Sequence, residues 1–347
     1  MSNKKPVIKF ADLFCGVGGF RLAMETAAAE CGLASECVFS SDIDAPCRAV
    51  YADNFGETPS GDINETAPET IPDFDVLLAG FPCQPFSIIG KGKGFDDLRG
   101  TLFFNIVEIL RAKRPRMIVL ENVKQLRGHN DGKTLARILE ALAELGYQTE
   151  WRVLNALDFG LPQHRERIFI TGKLWDHENR EIPKSENPRQ QTFFQEQDSG
   201  SVTNKQNPKT SDFAISRFPK ISLGEILETS PDTRHNASLA IRIKRAAQTA
   251  GLNNIPKPGI WHENKSGHIS VYPFSCALRA NSSHNYLLVD GERRLTEREM
   301  FRLQGYPDTF KLAASYTVAR RQAGNSLPVP VARAVISSLI SADSREN

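Results

Sequence analysis

The stretch Val7-Ile8-Lys9-Phe10-Ala11-Asp12-Leu13-Phe14, continued by Cys15-Gly16-Val17-Gly18-Gly19-Phe20, decides the fold. The apolar run predicts a strand, the glycines a tight turn, and Arg21 through Glu30 a helix. A glycine turn between strand and helix lets backbone approach a ligand at the helix N-terminus, as in dinucleotide folds, although the spacing departs from G-x-G-x-x-G. A second strand, Glu36 to Ser41, ends at Asp42 about twenty residues after the glycines, where Rossmann-type folds place the acid that holds ribose hydroxyls. Gly61-Asp62-Ile63 adds an acid beside an apolar side chain, which suits an adenine amino group and ring, though a plain turn accounts for it equally.

Three further segments carry chemistry. The run Phe74-Asp75-Val76-Leu77-Leu78-Ala79-Gly80 predicts a buried strand, and Phe81-Pro82-Cys83-Gln84-Pro85-Phe86 follows it, so the strand end delivers one thiol between two prolines. Arg116 through Val123 repeats the pattern and closes on Glu121. In Gln163-His164-Arg165-Glu166-Arg167, the strand period of two puts Arg165 and Arg167 on one side, facing one cleft. Each segment alone is more often a packed cysteine, a solvated strand end or a structural ion pair. A thiol, an acid and two guanidiniums at the same sheet edge point instead to a reaction site.

These residues, in this order, resemble the motifs of the DNA (cytosine-5)-methyltransferases. The resemblance is carried by Asp12-Leu13-Phe14-x-Gly16-x-Gly18-Gly19, Phe81 to Ser87, Glu121-Asn122-Val123 and Gln163-x-Arg165-x-Arg167. It continues through Arg294-Leu295-Thr296-x-Arg298-Glu299, Leu303-Gln304-Gly305-Tyr306-Pro307-Asp308 and Gly324-Asn325-Ser326. It implies S-adenosylmethionine as donor and a cytosine of double-stranded DNA as acceptor. Cys83 would add to C6, Glu121 would stabilise the N3 side, and Arg167 with Arg165 would hold the O2 side. On the cofactor side the resemblance assigns Asp12, Phe14, Gly16, Gly18, Gly19, Asp42, Ile43, Asp62, Ile63, Pro82, Leu102, Asn325 and Ser326. Many members carry glutamate where Asp42 stands, so this acid is one methylene shorter. The segment 87–100, with four glycines and with Lys91, Lys93 and Arg99, reads as a lid over an extruded base. With Gln84 and Ser87, these residues would touch DNA.

The expected architecture is α/β: a Rossmann-like doubly wound S-adenosylmethionine-dependent catalytic domain over 1–177 and 318–347, a smaller irregular target-recognition domain over 178–290, and a hinge over 291–317. Interleaved aromatic and basic residues of the middle region, Phe218, Lys220, Arg242, Lys244, Arg245, Trp261, His262 and Lys265, are candidate contacts to DNA. Composition adds little. The chain holds 43 Lys and Arg against 41 Asp and Glu, a net +2 that by itself says nothing of nucleic acid. Cys15, Cys31, Cys37, Cys47, Cys83 and Cys276 show neither C-x-x-C nor zinc spacing, and no apolar stretch spans a membrane. The expectation is a bacterial cytoplasmic monomer with reduced thiols and no metal, held at the nucleoid through DNA. A cognate restriction endonuclease would act on the same site without a stable complex. A tRNA cytosine-5 methyltransferase sharing the motifs is the alternative. A DNA-binding protein without catalysis and a nicotinamide oxidoreductase are the readings from other classes.

Overall fold

The computed structural model describes residues 5–82, 102–175 and 218–343. The chain runs β1 (Val7–Leu13), α1 (Gly19–Glu30), β2 (Ala34–Ser41), α2 (Ala45–Phe55), β3 (Val76–Gly80), α3 (Leu102–Lys113), β4 (Met117–Val123), α4 (Lys133–Glu144), β5 (Tyr147–Asn155), β6 (Gln163–His164) and β7 (Glu166–Leu174). Beyond residue 217 follow α5 (Leu223–Ile226), α6 (Leu239–Thr249), β8 (Ile260–Glu263), β9 (Ile269–Tyr272), β10 (Ser275–Cys276), β11 (Leu287–Val289), α7 (Glu297–Arg302), α8 (Tyr316–Asn325) and α9 (Val329–Asp343).

A six-stranded sheet in the order β2-β1-β3-β4-β7-β5 forms the centre. Its first four strands pair in parallel, while β7 runs antiparallel between β4 and β5, so the sheet is mixed. The strands read as continuous apolar runs because both faces are covered. Phe10, Val76, Leu78, Met117 and Val119 point to one face, into a core shared with α1 and α9. Ala11, Leu13, Leu77, Ala79, Ile118 and Leu120 point to the other, into a core completed by α3 and α4. Alternation with a period of two thus divides the strands between two cores, the doubly wound arrangement expected from the sequence.

Local signals explain the element ends. In α1, Gly18 takes a left-handed φ of 92° at the N-cap, a conformation that costs any other residue a Cβ clash. The capping box Thr296–Glu299 starts α7, and Gly305 with φ 82° follows it. The apolar stripe Leu135, Ile138, Leu142 builds α4, which stops at Gly146 with φ 89°.

Residues 218–343 do not form a separate body. A small sheet β11-β8-β9 stands apart from the main one, but β10 pairs with β6. Leu278, Tyr286, Leu295, Met300, Phe301, Leu303 and Tyr306 join the same apolar core as α1 and α9. At the centre of this junction the backbone of Gly324 lies against the loop after β10, where a Cβ would stand 2.8 Å from Ala280 Cα. Gly324→Ala is therefore expected to destabilise the fold by about 2–4 kcal/mol through overpacking against backbone that has no room to yield. The check is denaturant unfolding of the variant against wild type, and an unchanged midpoint would refute the tight junction.

Candidate active site

The C-terminal ends of β1, β3 and β4 meet where open α/β sheets hold ligands. Gly80 pairs in register with Glu121, and a Cβ on Gly80 would stand 3.6 Å from Glu121 Oε2. The Glu121 carboxyl thus lies beside the end of β3. Asn122 donates its side-chain amide to the Phe81 carbonyl at 2.9 Å and so pins the chain immediately before Pro82. Cys83 is the next residue in sequence; with Gln84, Ser87, Lys91, Lys93 and Arg99 it lies outside the described residues, as does the segment 87–100.

Glu121 is the acid of the site. Arg167 on β7 approaches it, Nε to Oε1 at 3.1 Å, and spends another donor on the Glu166 carbonyl. Burial raises the Glu121 pKa above the ordinary carboxylate range, while Arg167 and then Arg165 work against that shift. The carboxyl is thus held in an environment that favours keeping a proton, the state a hydrogen-bond donor to a ring nitrogen requires.

Arg165 differs from its expected place. It lies between β6 and β7, where the ladder breaks, and it is 1% exposed. Its Nη1 donates to the Leu278 carbonyl at 3.0 Å, and its Nη2 to the Gly324 carbonyl at 2.9 Å and to the Ser326 carbonyl. The strand period fails here because Arg165 stands outside either strand. Its charge still acts on Glu121, but its donors hold backbone. Gln163 and Gln304 extend this buried cluster: Gln163 Nε2 donates to the Leu303 carbonyl at 2.7 Å, and Gln304 Nε2 to the Ala323 carbonyl at 2.7 Å.

The cofactor candidates gather around the glycine turn. Phe14, with φ 55°, packs with Ile63 and Leu102 in one apolar cluster. Ile43 is 72% exposed, an apolar side chain that no described residue covers. Asp42 is committed to backbone: Oδ2 accepts the Gly16 N–H and Oδ1 the Asp44 N–H, both at 2.8 Å. A second lone pair on each oxygen remains for a hydroxyl. Asp62 caps a short 3-10 turn over Ile63–Glu65. Gly19 faces the segment after α8, where a Cβ would meet Tyr306 Oη at 2.7 Å and Ser326 Oγ at 3.3 Å, and those two oxygens share a hydrogen bond of 2.6 Å. Asn325 is exposed at the end of α8, and Pro82 is exposed at the end of β3. Tyr306 and Asn122 stand in the motifs quoted above, yet only the fold reveals what they touch.

Asp12 is fully buried, and no side chain among the described residues hydrogen-bonds its carboxylate, although the Arg21 backbone N–H lies near enough to act on it. Burial raises its pKa well above the ordinary value, with Arg21 opposing and Asp42 reinforcing. A fully buried acid just before the glycine turn suits a ligand with a cationic group, as S-adenosylmethionine has.

In the middle region, most candidate DNA contacts are used inside the protein. Phe218 packs on Phe159 with ring centroids 5.4 Å apart, and Trp261 covers Gly291. Arg242 pairs with Glu292, and Lys244 and Arg245 pair with Glu263. His262 stacks edge-on against Tyr286. Lys220 and Lys265 stay exposed. Three other arginines have no carboxylate partner among the described residues. Arg320 donates to the Ser282 carbonyl at 2.9 Å, Arg294 lies 5.1 Å over the Tyr316 ring, and exposed Arg279 opens the loop that packs on Gly324. His284 sits against Tyr316 between them, its pKa lowered by burial and then by Arg320 and Arg294. Among the described residues, no group of His, Cys, Asp or Glu is placed to hold a metal, and no helix is long and apolar enough to cross a membrane.

A doubly wound sheet whose glycine turn and acids converge at the strand ends is the architecture of S-adenosylmethionine-dependent methyltransferases. The chain belongs to the C-5 cytosine-specific DNA methylases, whose family profile matches residues 8–341. It is 46% identical over 332 residues to the Type II methyltransferase M.HaeII of Haemophilus aegyptius, covering 96% of this chain and 92% of that protein. To the Type II methyltransferase M.NgoBI of Neisseria gonorrhoeae it is 48% identical over 326 residues, covering 94% and 91%. The Dnmt2 methyltransferase of S. pombe shares the fold with a TM-score of 0.66 at 19% identity, over 97% of this chain and 99% of that one. The protein is accordingly a DNA (cytosine-5)-methyltransferase that uses S-adenosylmethionine, which sets DNA above tRNA as the acceptor.

Asp12 gives a test of the empty-handed acid. A carboxyl whose folded pKa lies above its unfolded one costs stability at every pH above the unfolded value, and the cost vanishes as pH falls below it. Asp12→Asn is thus expected to raise the melting temperature of the ligand-free protein at pH 7, with a smaller gain at pH 5. Thermal unfolding at the two pH values measures it; an equal or lower melting temperature at pH 7 would mean that Asp12 is compensated.

Proposed function

We propose that the chain methylates C5 of a cytosine swung out of a specific short duplex sequence, through a covalent bond between Cys83 and C6. The observation that supports this reading most is Glu121, a buried carboxyl beside Gly80 and Arg167 at the strand end that leads to Cys83. Cytosine C5 is a poor nucleophile, so a thiolate must first add to C6 and turn the ring into an enamine. Glu121, whose pKa burial raises, donates to N3 in its protonated form as that charge develops, and Arg167 holds Glu121 in place and offers a further donor to O2. S-adenosylmethionine supplies the methyl cation equivalent that C5 attacks. After transfer the C5 proton leaves and the thiolate is expelled. Asp12, Phe14, Asp42, Ile43, Asp62, Ile63, Leu102, Asn325 and Ser326 hold the cofactor, and Gly16, Gly18 and Gly19 give it backbone access. In this scheme Arg165 acts on the site by fixing the backbone at Ser326 and Leu278 rather than by touching the base.

We assign residues 178–290 to target recognition, 291–317 to the joint with the catalytic domain and 87–100 to closure over the base. Arg279, exposed at the start of the loop after β10 and without a carboxylate partner among the described residues, offers a place for DNA phosphate. The protein acts as a monomer in the cytoplasm, within a restriction-modification pair whose endonuclease cuts the same sequence.

Cys83→Ser is expected to lower turnover at least about a thousandfold, since a hydroxyl is hardly ionised near neutrality. A duplex with 5-fluorocytosine at the target has no C5 proton to lose, so it should trap wild type covalently and leave the serine variant free on a denaturing gel. Failure to trap wild type would sink the addition mechanism. In single turnover, a rising limb with pH reports thiolate formation and a falling limb reports loss of the Glu121 proton. Glu121→Gln should cost about 100- to 10,000-fold in rate and remove the falling limb.

Arg279→Ala should reduce the slope of log affinity against log salt by about 1, as one phosphate contact is lost, and weaken cognate and non-cognate duplexes alike. A slope equal to wild type by fluorescence anisotropy would place Arg279 off the DNA.

A further inference from the structure

Asp62 is oriented by a chain of amides. Its Oδ1 accepts the Asn64 backbone N–H at 3.0 Å and the Asn64 side-chain amide at 2.7 Å. Asn64 Oδ1 in turn accepts the side-chain amide of Asn105 at 2.8 Å. The direction of this chain is forced by chemistry. An ionised carboxylate only accepts, so Asn64 turns its NH2 toward Asp62 and its oxygen toward Asn105, which must then donate. Asn105 lies on α3 three residues beyond Leu102, and so on the same helix face. With two donors on Oδ1, Oδ2 of Asp62 is the oxygen without a partner among the described residues.

We infer that Asn64 and Asn105 are positioning residues that aim Asp62 Oδ2 at the 6-amino group of the donor's adenine, so that this relay sets a preference for 6-amino over 6-oxo purine. The inference rests on the adenine-side role of Asp62 proposed above. A 6-amino group donates to the free oxygen, whereas a 6-oxo group meets it with lone pairs and leaves it unpaired. If the relay is cut, the carboxyl can rotate and solvate, and the penalty for the 6-oxo ring shrinks. Leu102 and Ile63 grip either ring alike, because apolar contact does not distinguish the two substituents.

The test is calorimetric binding of S-adenosylhomocysteine and its 6-oxo counterpart S-inosylhomocysteine to wild type, Asp62→Ala, Asn64→Ala and Asn105→Ala. Wild type should prefer the 6-amino ligand, and Asp62→Ala should abolish the preference. Each asparagine variant should narrow it about threefold to tenfold by weakening the 6-amino ligand alone, the size of one hydrogen bond. If Asp62→Ala retains the preference, the adenine-side role of Asp62 falls. If Asp62→Ala abolishes it while both asparagine variants keep the wild-type ratio, or weaken the two ligands equally, the relay is only structural and the inference is overturned. Asn64 is exposed on a turn, so its variant keeps the test open should Asn105→Ala perturb α3.

Discussion

One guanidinium holds this architecture together. Arg165 is enclosed by protein and gives its donors to carbonyls of Leu278, Gly324 and Ser326, positions 113, 159 and 161 residues distant. A buried charge is costly unless its donors are met, and here backbone carbonyls meet both terminal nitrogens, while Nε has no partner among the described residues. Burial and the neighbouring Arg167 both press against its charge, and Glu121 only partly offsets them. The cost is borne where three elements meet: the strand that carries Arg167, the segment that closes on the glycine turn, and the loop after β10. Gln163 and Gln304 complete the lattice with uncharged amides. Each hydrogen bond is modest in net free energy, yet losing one partner would strand a buried donor.

The same logic separates what the sequence showed from what it concealed. The glycine turn, the β3 and β4 runs and the capping box at Thr296 are local signals, and each element stands where its pattern placed it, within a residue or two. α2 has no apolar stripe to announce it; only Asp44, which caps Cys47 N–H, and Pro46 mark its start. Arg165 misled because a strand period applies only inside a strand. The candidate DNA contacts read differently once their neighbours are visible. Interleaved aromatics and bases describe a packed, ion-paired subdomain as well as a binding face, and Glu263 and Glu292, the acids that neutralise Arg242, Lys244 and Arg245, are distant in sequence. The informative charges are those left without acids, a property of three-dimensional placement.

Asp12 and Glu121 show how one scaffold prepares two different acids. Asp12 on β1 and Glu121 on β4 flank β3 in the sheet, and burial raises the pKa of both. Glu121 has Arg167 within reach and is held ready to share a proton. Asp12 has no side-chain partner among the described residues, and the charge of Arg21 only partly offsets its burial. Active sites accept such local cost because the ligand or the transition state, not the resting protein, completes the pairing.

The packing of α9 on α1 has a further consequence. Cys31 lies against the Ser337 carbonyl, 306 positions along the chain, and Gly19 is closed over by Tyr306 and Ser326. On the ribosome, where chains grow at about 5–20 residues per second, the glycine turn emerges long before the residues that seal it. The early strands must therefore wait, with their apolar faces open, until the last helices arrive. Contacts this distant slow folding and reward a chain that is delivered whole.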